Sequence, residues 1–101
     1  MTDAEKNAAI AKWFEPEPES ETSPSPLGMW SYVPPPRGLA HEVEGDWEPR
    51  HFDIDPDAFV ALLEAMAQRN DMALEITVDG GRSIMLVVRD AVYEVINEQA
   101  N

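Results

Sequence analysis

The sequence predicts an α+β fold: a small three-stranded antiparallel sheet with helices packed on its faces. Thr2 to Phe14 and Asp55 to Arg69 each open on an N-capping residue and carry apolar residues at helical spacing. From Leu74 to Ile96 the pattern changes to short apolar runs, alternating or continuous, around a Gly-Gly turn. With 101 residues, 44% of them hydrophobic, the chain has material for one modest core.

In the first element, Thr2 and Glu5 make a T-x-x-E capping box, and Ile10, Trp13 and Phe14 share one face. So short a helix must dock that face on something. Glu15 to Pro26 reads EPEPESETSPSP; its prolines lack donors and its glutamates repel one another, so residues 15–29 are expected to be a flexible linker. The expected organisation is a helix over 1–14, this linker, and a compact α+β domain over 30–101. Trp30-Ser31-Tyr32-Val33 reads as a short strand stopped by Pro34-Pro35-Pro36. Trp13, Trp30 and Trp47 are expected to cover the edge of a small core, with interface anchoring as the alternative.

The second helix has Asp55 as N-cap, Pro56 at its first position and Asp57 in its first turn. Phe59, Leu62, Leu63 and Met66 form its apolar stripe, with Asp57, Glu64 and Gln68 opposite. Leu74, Ile76 and Val78 then alternate with polar residues as in a half-buried strand. Asp79-Gly80-Gly81-Arg82 predicts a hairpin turn, and Ile84 to Val88, apolar on both faces, a central strand. After a turn at Arg89-Asp90, residues 91–96 are expected to return as a third strand; the alternative, which periodicity does not exclude, is a C-terminal helix.

Asp55-Pro56-Asp57-Ala58, Leu62-Leu63-Glu64-Ala65, Leu74 to Val78 and Val92-Tyr93-Glu94-Val95, in that order behind a capped helix and a Trp- and Pro-containing middle, resemble the small phage proteins called phage ABA sandwich domains. The resemblance covers about half the chain. It implies a phage or prophage origin and no particular activity. Those proteins often continue into another helix, whereas the sequence here runs to Asn101.

Charge dominates the composition: 20 acids against 7 bases give a net charge of −13. Residues 1–49 carry ten acids and three bases, residues 50–101 ten and four, so no acidic tail accounts for the excess. Such a field repels nucleic acid and anionic membranes and attracts basic surfaces, although it also simply keeps a protein in solution. The polar N-terminus is unlike a secretory signal, and no run approaches the ~20 apolar residues of a membrane helix. The expectation is a cytoplasmic protein.

Motifs for chemistry fail one by one. Without cysteine there is no disulfide, thiolate site or cysteine nucleophile. Asp53, Asp55, Asp57 and Glu64 match positions one, three, five and twelve of an EF-hand loop, but Ala58 replaces the glycine of position six and Pro56 suits a helix start. His41 and His51 lie in predicted loops at no ligand spacing. Gly80-Gly81 is read as a turn rather than a phosphate loop because no helix is predicted to follow. No enzyme, metal or cofactor is expected. The leading expectation is a phage-encoded, anti-CRISPR-like inhibitor whose carboxylates imitate phosphates on the basic surface of a nucleic-acid-handling complex, without binding nucleic acid itself. Its candidate residues are Asp53, Asp55, Asp57 and Glu64, near one helix, and Glu42, Glu44, Asp46 and Glu48, spaced by two as on one face of an extended segment. The alternative is a phage structural or assembly accessory that pairs through apolar or sheet-edge contacts, including as a homodimer.

Overall fold

A computed structural model describes residues 2–20, 22, 25–38, 45–69 and 80–100. Helix α1 spans Asp3–Phe14. It begins with the expected N-cap: the Thr2 hydroxyl accepts a hydrogen bond from the Glu5 backbone N–H at 3.2 Å. Its inner face buries Asn7, Ile10 and Ala11, while Trp13 and Phe14 pack half-buried against the core.

The start of the proline-rich segment folds back onto the chain that follows it. The buried Glu15 carboxylate accepts hydrogen bonds from the Leu27 N–H at 2.7 Å and from the Ser25 hydroxyl. Its backbone carbonyl accepts from the indole N–H of buried Trp30 at 3.1 Å. Burial of these polar atoms is tolerated because each has a partner.

Strands β1 (Trp30–Val33) and β2 (Asp46–Pro49) form a two-stranded antiparallel sheet, with Trp30 opposite Pro49 and Tyr32 opposite Trp47. β1 is the short strand read from the sequence, ending where the three prolines begin. In β2, Asp46 and Glu48 are exposed while Trp47 and Pro49 turn inward. The Tyr32 and Trp47 rings lie 5.4 Å apart at 59°, a cross-strand aromatic pair.

Helix α2 covers Pro56–Ala67. The Asp55 side chain accepts from the Asp57 N–H at 3.0 Å, so the acidic run here is a helix cap and the chain is already helical where a calcium loop would still be irregular. Ala58, Leu62 and Ala65 are buried, with Phe59 and Met66 packed beside them. Leu63, placed in the inward stripe by sequence, is instead 42% exposed.

The largest correction concerns the C-terminal third. Ile84 to Val88 is not a central strand, Arg89-Asp90 is not a turn and residues 91–96 are not a third strand. All lie in one helix, α3, spanning Ile84–Ala100. Val88, Val92 and Ile96, four residues apart, stack on one face and enter the core. The valines that suggested strands are outweighed by this tertiary burial. The three-stranded sheet is therefore replaced, among the described residues, by two strands and three helices. The predicted strand Leu74 to Val78 lies outside the described residues. Gly80 and Gly81 do turn, but into α3 rather than a second strand.

One core joins these pieces: Ile10 and Ala11 of α1, Met29, Trp30, Phe52, Ala58, Leu62 and Ala65 of α2, and Val88, Val92 and Ile96 of α3. α1 packs against both α3 and β2. Trp30 is buried, and Trp13 and Trp47 pack half-buried against the core, the covering role expected of all three.

Candidate functional site

Arg89, in the second turn of α3, is 0% exposed and engages acids from three parts of the chain. Its Nη2 lies 2.7 Å from Asp3 Oδ1, and its Nε donates to Asp90 Oδ1 at 2.9 Å. Its Nη1 donates to Asn7 Oδ1 at 3.1 Å and lies 3.6 Å from Asp53 Oδ2. Asn7 Nδ2 in turn donates to Asp53 Oδ1 at 3.1 Å. The planar guanidinium fork can engage several acceptors at once, which is what makes its burial sustainable. Asp90 receives further hydrogen bonds from Arg82 at 2.5 Å and Lys6 at 3.3 Å. Burial pushes the Asp90 carboxyl up, but hydrogen bonds from Arg82 and Arg89, the Arg89 charge and the Lys6 contact together hold it below its ordinary value.

This hub divides the acids singled out by sequence. Asp53, 8% exposed, faces Arg89 and Asn7 inside the protein, so it is not available to a partner. Asp55 caps α2 and sits 3.7 Å from Arg50 Nη2. Asp57 and Glu64 are exposed two helical turns apart on one face of α2. Asp46 and Glu48 are exposed on the outer face of β2. Glu42, Glu44 and His41 lie outside the described residues. His51 is exposed, and no group of three or more metal-ligating side chains gathers among the described residues.

Most of the bases are engaged within the chain. Lys6, Arg50, Arg82 and Arg89 all form ion pairs with the chain's own carboxylates. The Arg69 guanidinium lies over the Trp13 ring, 5.2 Å from its centroid. Lys12 and Arg37 remain exposed.

Sequence reasoning missed an apolar stripe on the outer face of α2. Val60 is 51% exposed and Leu63 42%, and Ile54, just before the helix, is 67% exposed. Pro56, Val60, Leu63 and Ala67 follow a four-three-four spacing that runs them along one side of the helix, beside Asp57 and Glu64. The available signal was that α2 is apolar over more than half a turn, wider than one core-facing stripe. Sequence reasoning also excluded a helix after Gly80-Gly81, and α3 does start there; the segment still lacks the lysine of a phosphate loop, with Arg82 before Ser83 at the helix start.

No family model, curated protein or solved structure matches the chain. No helix among the described residues is long and apolar enough to cross a membrane.

Proposed function

We propose that this is a small acidic binding protein of phage type. It occupies a basic surface on a protein partner and so inhibits a host-defence or nucleic-acid-handling complex, as a nucleic-acid mimic or anti-CRISPR-like inhibitor does. It works by binding, in the cytoplasm, without catalysis of its own. The observation that carries this reading is a set of exposed carboxylates that the chain's own bases do not engage. Lys6, Arg50, Arg82 and Arg89 are engaged by internal carboxylates, whereas Asp46, Glu48, Asp57 and Glu64 project unopposed. Many weak charge pairs on a basic groove would then reproduce the physics of phosphate recognition with protein carboxylates. The phage setting rests on the resemblance set out above.

The test is capture of partners from host lysate at low and high salt, followed by competition with DNA or RNA. Affinity is expected to fall steeply with salt, and nucleic acid to displace the protein. Asp57→Lys combined with Glu64→Lys should slow association more than it speeds dissociation. A salt-insensitive complex would sink the mimicry reading.

The exposed Val60 and Leu63 favour a second reading, that of an assembly accessory which pairs through the apolar side of α2. The flanking Asp57 and Glu64 suit a partner helix with basic residues beside its own apolar seam. In that case Val60→Ser with Leu63→Ser abolishes capture, and salt has little effect.

A further inference from the structure

A cleft of about 750 Å³ lies between the hairpin and proline-rich chain on either side of it. Tyr32 and Trp47, opposite one another in the sheet, form its aromatic wall. Both rings are fixed from behind. The Trp47 indole N–H donates to the Ser20 carbonyl at 2.8 Å, which ties the Glu17-to-Ser20 stretch to β2. At Gly45 a Cβ would run into the Val33 carbonyl and the Tyr32 phenol, so the bare backbone there lets the phenol lie close. Among the described residues, three carboxylates, Glu17, Glu19 and Asp46, and one cation, Arg37, stand around the rings.

The remaining lining decides what chemistry fits. Pro18, Pro34, Pro35 and Pro36 have no backbone N–H, so at these four positions the main chain offers carbonyl acceptors only. With more carboxylates than cations and two aromatic faces, the cleft does not suit an anion. It suits a flat cation with many donors that can lie on a ring while its edge meets carboxylate. We infer that the cleft receives an arginine side chain presented by a basic protein partner. This deepens the reading above by naming the side chain that the partner inserts. Arginine is favoured over lysine because only the guanidinium both stacks and forks, whereas the ammonium is a compact, strongly hydrated point charge.

The experiment uses the full chain and a neutral-ended tripeptide, acetyl-Ala-Arg-Ala-amide, followed through the three indole N–H signals in NMR. The Trp47 signal, identified by its loss in Trp47→Phe, should move saturably while those of Trp13 and Trp30 stay still. The matching lysine tripeptide should bind more weakly, and Asp46→Asn should weaken the arginine peptide roughly fivefold with an unchanged circular dichroism spectrum. A Trp47 signal that does not move, or equal shifts at all three indoles with the arginine and lysine peptides, would overturn the proposal. Its failure is separable from failure of the general reading. Salt-sensitive partner capture that survives Asp46→Asn and Tyr32→Ala together would leave the acidic surface in place and dismiss the cleft.

Discussion

Asp53 and Asp57 are the same residue type four positions apart, and the fold uses them in opposite ways. Asp53 is buried against Arg89 and Asn7, reaching across to α3 and α1. Asp57 stands in solvent in the first turn of α2, with only its backbone N–H engaged by the Asp55 cap. A charge is stabilised inside only where a preformed set of partners replaces the water it loses, and outside it needs nothing. In an acidic protein, then, a carboxylate's proximity in sequence to a helix does not tell whether it serves a partner or the protein's own interior.

The contrast can be broken most severely from the other side of the pair. Arg89→Met removes the buried cation while leaving Asp53 buried, and should cost about 3–5 kcal/mol in urea denaturation. A cost near zero would mean that Asp53 is already solvated. Asp53→Ala leaves Asp3 and Asp90 on the guanidinium and strands only Asn7 and one face of the fork, so about 1–3 kcal/mol is expected in the same assay.

Acid provides a reversible version of the same break. The folded-state pKa of Asp90 is depressed, so its contribution to stability is fully present above the ordinary value of 3.8 and is lost as pH falls through the lower folded value. Melting temperature should therefore drop below about pH 4, and the drop should be shallower in Arg89→Met. Equal slopes in the two proteins would show that the hub does not hold Asp90 low. The smallest effect belongs to Asp57: Asp57→Asn should cost only about 0.3–1 kcal/mol, the value of one charge at a helix N-terminus. A loss as large as that of Asp53→Ala would erase the distinction between the two aspartates.

What could be read in the sequence was local. Thr2 with Glu5, Asp55 with Pro56, and the prolines after Val33 mark boundaries through chemistry that acts within a few residues, and the structure keeps all of them. α3 escaped because Ile84 to Val88 is too short and too uniformly apolar to reveal a period, and its β-branched residues favour a strand. Arg89-Asp90 then looked like a turn between two strands. Nothing near these two residues reveals that their partners are Asp3, Lys6 and Asn7, more than 80 residues away. For the same reason Asp53 could not be told from Asp57. Of the candidate acids that are described, Asp46, Glu48, Asp57 and Glu64 are exposed, Asp55 is half-exposed and Asp53 faces inward. The cleft was invisible because cross-strand neighbours such as Tyr32 and Trp47 meet only once register is known.

The Arg89 hub also constrains the order of events during folding. Its Asp3 contact spans 86 residues, and closing so long a loop costs entropy that is repaid only after α3 has formed. During synthesis α1 must therefore wait, its Asp3 and Asn7 without their partner, until residue 89 has left the ribosome. If this contact closes last, Arg89→Met should accelerate unfolding and leave the refolding rate almost unchanged in stopped-flow measurements. A variant that instead slowed refolding would place the hub in the nucleus and make the pairing of residues 3 and 89 an early step.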